Sequence, residues 1–101
     1  GNGRLGTWYT TNTIDMKDYD YLVDEKYVNP ETTSTGKLQV WVGSKTKTRT
    51  VSEKKDSGYI ITTLDISNIN DKQTVVTGCN GLETDYYSMF ISKIYMYKIL
   101  E

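Results

Sequence analysis

The chain has 101 residues, enough for one two-layer core and too few for two. Its 12 basic and 13 acidic side chains leave a net charge of −1, so the whole molecule has no field suited to nucleic acid or to an anionic membrane surface. With no His and a single Cys it cannot form an internal disulfide and is ill equipped for zinc; an enzyme would have to use carboxylates, Lys, Tyr or one thiol.

The residue types favour strands. Ala, the best helix former, is absent, while Thr is frequent and Tyr occurs nine times. No run of about 18 apolar residues exists, so no membrane insertion is expected. The opening Gly1-Asn2-Gly3-Arg4 has no apolar signal region and reads as the start of a single domain, residues 1–101, cut from a longer chain.

The first short β segment is Gly6 to Thr11, followed by Tyr19 to Val28, where β-formers dominate an imperfect alternation. Asn29-Pro30 ends it and a polar loop follows. The clearest strand is Lys37 to Val42, with Leu38, Val40 and Val42 on one face and Lys37, Gln39 and Trp41 on the other. In Lys45 to Val51 charge alternates with threonine, which predicts a strand with its cationic face in water. Tyr59 to Leu64 and Gln73 to Thr77 are further strands, and residues 78–85 read as a loop rich in Gly, Asn and acids. The last strand is expected over Tyr86 to Leu100. There Met89 and Ile91 fall on one face and Ile94 and Met96 on the other, so a β-bulge near Ser92-Lys93 is expected to bring all four inside. The expectation is an all-β, antiparallel β-sandwich (jelly roll) of about seven strands.

Three phrases together resemble a family. Trp8-Tyr9-Thr10-Thr11-Asn12-Thr13-Ile14-Asp15-Met16 leads into Tyr19 and Leu22; Thr63-Leu64-Asp65-Ile66-Ser67 follows far downstream, and then Ser92-Lys93-Ile94-Tyr95-Met96. In that order they resemble the jelly-roll, galactose-binding-like and carbohydrate-binding-module-like domains of phage tail, baseplate and adsorption proteins and of bacterial surface proteins. Met16-Lys17-Asp18 departs from the commoner Leu-Thr-x, and the segment usual before Trp8 is missing. The resemblance implies an extracellular or virion-associated module that binds a cell-surface glycan. It also implies that Asp65 is structural, its carboxylate accepting backbone bonds in an Asx-type turn.

Sugar faces stack on indole and phenol rings while their hydroxyls need planar polar partners. Trp41, beside Lys37 and Gln39 on the polar face of its strand, is the first candidate platform; the alternative is a Trp41 that covers a second sheet or a subunit contact. Tyr86 and Tyr87 beside Asn80 form a second candidate. Trp8-Tyr9 is a third, with one of the two expected in the core. Arg49 joins as the cation of a basic strip (Lys37, Lys45, Lys47, Arg49, Lys54, Lys55) that contrasts with an acidic one from Asp15 to Glu31. Such strips suit subunit pairing or an anionic polymer, although lysines that guard a sheet edge explain the basic one equally simply. The acids fall in turns rather than as a catalytic pair, and no enzyme is expected. No cofactor is expected either; structural calcium is the one candidate ion, held by Asp15, Asp18 and Asp20 or by Asn80, Glu83 and Asp85. Cys79 reads as a small, semi-buried residue. The second functional reading is a structural or oligomerisation β-domain of a phage tail assembly with no small-molecule site.

Overall fold

The computed structural model describes residues 4–32, 36–83 and 90–100. They form an all-β protein of antiparallel strands, in agreement with the sequence-based expectation of a β-sandwich. The strands are β1 (Arg4–Thr10), β2 (Ile14–Asp15), β3 (Tyr21–Val28), β4 (Lys37–Val42), β5 (Lys45–Thr50), β6 (Tyr59–Asp65), β7 (Lys72–Gln73), β8 (Val75–Glu83) and β9 (Phe90–Tyr97). Single 3-10 turns follow β2 (Met16–Asp18) and β5 (Val51–Glu53). One sheet has the order β1-β8-β4-β5, the other β6-β3-β9, and β2 pairs with β7 in a small ribbon. The count among the described residues is nine rather than about seven. The extra pieces include the two-residue strands β2 and β7, which are too short to show a period.

The core lies between the two main sheets in two apolar clusters. Met16, Leu22, Val40, Val42, Leu64, Ile66 and Val75 form one, and Val28, Leu38, Val51, Ile60 and Cys79 form the other. Between them the inner face of β3 carries two charged residues, Asp24 and Lys26, which are 2% and 3% exposed. Lys26 Nζ donates to Asp24 Oδ2 and to Thr77 Oγ1. Thr77 Oγ1 donates to the same carboxylate (2.9 Å), and Ser92 Oγ donates to Asp24 Oδ1 (2.7 Å). Burial pushes the Lys26 ammonium below the usual lysine range, and the adjoining Asp24 carboxylate opposes that shift. Asp24 belongs to the acidic strip from Asp15 to Glu31 that was expected to fall in turns, yet it is buried, because alternation alone cannot reveal a polar partner on another strand.

That polar centre also explains a register that the sequence misled. β9 pairs one-to-one with β3 from Val28↔Phe90 to Tyr21↔Tyr97, with no bulge at Ser92-Lys93. Ser92, Ile94 and Met96 share the inner side, and Lys93, Tyr95 and Tyr97 are exposed on the outer one. The bulge was inferred on the premise that every inward position is apolar; Ser92 points inward because Asp24 needs a donor there.

Two further expectations are corrected. Residues 78–83 are not a loop: they continue β8, paired with β1 as far as Glu83 and with β4 as far as Asn80, while residues 84–85 lie outside the described residues. Backbone pairing on both sides outweighs the low β propensity of Gly and Asn, and the one register irregularity falls at Leu5/Gly6, where Gly81 has no partner. The cationic side of β5 is in water only in part, Lys47 being exposed and Lys45 and Arg49 half-buried, and it is not the sheet's outer face. Lys45, Lys47 and Arg49 are opposite Val42, Val40 and Leu38, which puts them on the core side of an edge strand, and the threonines face out. There Arg49 Nη1 donates to the Ile61 carbonyl of β6 (2.9 Å) and Nε to Glu53 Oε2 (2.9 Å), bridging the two sheets at that edge. The Glu53 carboxyl is held below its usual range, first by the Thr50 backbone N–H and then by Arg49.

Candidate functional site

The outer face of the four-stranded sheet follows from the pairing of its strands. Cross-strand partners share a face, so three rows run across it. One holds Lys37 and Thr50, with the backbones of Asn80 and Gly6 in register; the next Gln39, Gly78, Trp8 and Thr48; the third Trp41, Val76, Thr10 and Thr46. Trp8 on β1 and Trp41 on β4 are separated by β8, a distance of roughly 9.5 Å between backbones. Their ring centroids are nevertheless 5.1 Å apart, with the planes tilted by 48°. The indoles lean toward each other over β8, where Gly78 has no side chain to hold them off; Gly78 itself is buried. Trp8 is 40% exposed and Trp41 half-buried, so the pair forms an accessible aromatic surface.

Polar groups border it. Gln39 Nε2 donates to Thr48 Oγ1 (2.9 Å), which orients the amide on the same face, and Lys37 is exposed one row away. Beyond the end of β4, two residues past Trp41, the Gly43-Ser44 turn meets Asn68, Ile69, Asn70, Asp71 and Gln73 around an open cleft of about 480 Å³. Gly43 has φ +57°, the left-handed conformation that the two-residue hairpin turn requires. A Cβ there would meet the Gln73 amide at an ordinary contact distance of 3.5 Å, so the positive φ rather than crowding selects glycine. The cleft's amide and carboxylate groups are planar partners of the kind that sugar hydroxyls need, but neither indole lines it.

Of the residues singled out from sequence, the fold brings Trp41, Gln39 and Lys37 together with the backbone of Asn80, which pairs with Lys37. Arg49 is on the opposite face and serves the sheet edge. Tyr86 and Tyr87 lie outside the described residues. Trp8 and Tyr9 were expected to divide between core and surface, yet both are exposed, at 40% and 61%, because β1 is an edge strand. The signal for Trp8 was its type; the partnership with Trp41 depends on a pairing of β1 and β8 that no local pattern encodes.

The acids behave as turn residues. Asp15 accepts from the Lys17 backbone N–H (3.3 Å), capping the first 3-10 turn, and Asp20 accepts from the Ile99 N–H (2.8 Å). Among the described residues no three acids or thiols converge on a point that could hold a metal. Asp65 accepts from the Ser67 N–H (2.9 Å) and hydroxyl (2.6 Å), an Asx-type turn of the kind that the resemblance implied, and these bonds hold its carboxyl below the usual range, the hydroxyl most. Cys79 is buried in the second apolar cluster.

A second aromatic surface went unnoticed in the sequence. On the outer face of the three-stranded sheet Tyr21 stacks with Tyr97 (centroids 5.4 Å, planes 27°), and Tyr27 meets Tyr59 edge-on (5.2 Å, 61°). Tyr95 lies between them and donates to Glu25 Oε2 (3.2 Å). No helix among the described residues is long and apolar enough to cross a membrane. No family model matches the chain, and no curated protein shows significant similarity to it.

Proposed function

We propose that the domain is a non-catalytic carbohydrate-binding module that lays a cell-surface glycan against the Trp8–Trp41 surface. The observation that carries this reading is the pair of indoles in contact on a solvent-facing sheet, over a glycine and beside Gln39, Thr48 and Lys37. Apolar sugar faces stack on such rings, and the bordering amide and ammonium take hydroxyls or an anionic substituent. The likeness to galactose-binding-like domains supports the same reading. It also suggests the setting, an extracellular or virion-associated phage tail or bacterial surface protein.

A glycan array probed with the isolated domain, together with its solution mass, tests the proposal. A monomer that captures specific glycans, and whose Trp41→Ala and Trp8→Ala variants stay folded but bind at least about tenfold more weakly, is the expected result. An oligomer that binds no glycan and dissociates when either Trp is removed would instead identify the indole surface as a contact in a structural assembly domain.

A further inference from the structure

The tyrosine side of the molecule carries a groove of its own. Glu25, Tyr27, Tyr59 and Lys93 enclose a shallow groove of about 380 Å³ on the outer face of the three-stranded sheet. Tyr27 and Tyr59 form two inclined aromatic walls. Gly58 sets their spacing: at φ +93°, its absent Cβ would come 2.3 Å from the Val28 carbonyl oxygen and 2.9 Å from the Tyr27 ring. Only glycine permits that approach, and it delivers Tyr59 directly opposite Tyr27.

The charges beside these walls are opposite and not joined to each other. Glu25 and Lys93 are cross-strand partners in the β3–β9 ladder. Among the described residues, however, the ion pairs are Lys17–Asp15, Lys26–Asp24 and Arg49–Glu53. Glu25 is held by the Tyr95 hydroxyl, and the Lys93 ammonium lies over the Tyr95 ring, 5.8 Å from its centroid. Tyr95 thus keeps an anion and a cation apart on one floor, next to two aromatic faces.

A carboxylate beside aromatic rings favours a weakly hydrated cation, above all a quaternary ammonium, and an ammonium nearby favours an anion. From this arrangement we propose that the groove is a binding site for a phosphocholine group. The trimethylammonium rests against Tyr27 and Tyr59 near Glu25, and the phosphate meets Lys93. The site is on the opposite outer face from the indoles and does not depend on the glycan reading.

Titration of the 101-residue chain with phosphocholine, followed by amide chemical shifts and calorimetry, tests the site. Saturable shifts grouped around Tyr27, Tyr59, Glu25 and Lys93 are expected, with phosphoethanolamine bound about tenfold more weakly because it lacks the N-methyl groups. Tyr59→Ala and Glu25→Gln should each weaken phosphocholine binding about fivefold or more, while Trp41→Ala leaves it unchanged. Glu25→Gln preserves shape, so it keeps the test decisive if Tyr59→Ala does not fold. Phosphatidylcholine vesicles distinguish the sources: co-sedimentation lost in Glu25→Gln supports the site and points to a lipid headgroup, whereas binding of soluble phosphocholine alone supports it and points to a phosphocholine not embedded in a bilayer. Shifts scattered over the surface, equal affinity for phosphoethanolamine, or undiminished binding by Glu25→Gln would overturn the proposal.

Discussion

The two outer faces of this sandwich are both aromatic, but they are built on different principles. On the four-stranded sheet two large rings from strands that are not neighbours meet over the empty position at Gly78. On the three-stranded sheet smaller rings come from adjacent strands, and the contacts Tyr21–Tyr97 and Tyr27–Tyr59 are direct cross-strand pairs. The tyrosines are stabilised by their own ladder, as expected for aromatic pairs, and Val23, on the same outer side and opposite Tyr95, is only 6% exposed. The indoles depend on a missing side chain instead. A platform made by omission is open to a flat ligand. One made of paired phenols is divided into small corners, each with its own polar group.

The most severe way to break both faces at once is from inside. Lys26→Met leaves Asp24 buried without its cation and should cost about 3–5 kcal/mol, read by chemical denaturation, with ligand binding at the two faces lost together. Adding Asp24→Leu in the same chain should recover much of that loss, since no unpaired charge then remains. A single variant as stable as the parent would show that the buried pair does not hold the sheets in place.

A sharper cut separates the faces. Gly78→Val puts a side chain under the indoles and should drive them apart, weakening glycan binding about tenfold or more. Stability should fall by about 1–3 kcal/mol, because the new side chain must displace the rings that cover a buried position. The tyrosine face should be untouched, so unchanged shifts at Tyr27 and Tyr59 beside altered indole fluorescence are the expected signature. Retention of full glycan affinity would mean that the Trp8–Trp41 contact is incidental.

The smallest expected effect concerns the edge between the faces. Lys45, Lys47 and Arg49 changed together to Gln should lower stability by about 1 kcal/mol, chiefly through the lost Arg49 bonds, and should raise aggregation measured by light scattering. Glycan affinity should stay the same, since these side chains are on the core side of β5. A steep fall in glycan binding on this change would place the cations in the recognition surface after all.

Much of this protein was legible locally. The absence of Ala and the alternation in Lys37 to Val42 pointed to antiparallel strands, and that alternation put Trp41 opposite Leu38, Val40 and Val42, as observed. The Asp65–Ser67 turn, expected from the resemblance, and the positive-φ glycine after Val42, which was not anticipated, both depend only on neighbours in sequence. What the tertiary structure alone decided are relations between distant strands. The pairing of β1 with β8 brought Trp8 to Trp41; the pairing of β3 with β9 set Glu25 opposite Lys93; and the packing of the sheets turned Asp24, Lys26, Thr77 and Ser92 toward one another. Alternation along one strand specifies two sides but not which side faces the core. For β5 and β9 that choice was made by a partner: the edge position beside β6 for the cations of β5, and a buried carboxylate for Ser92.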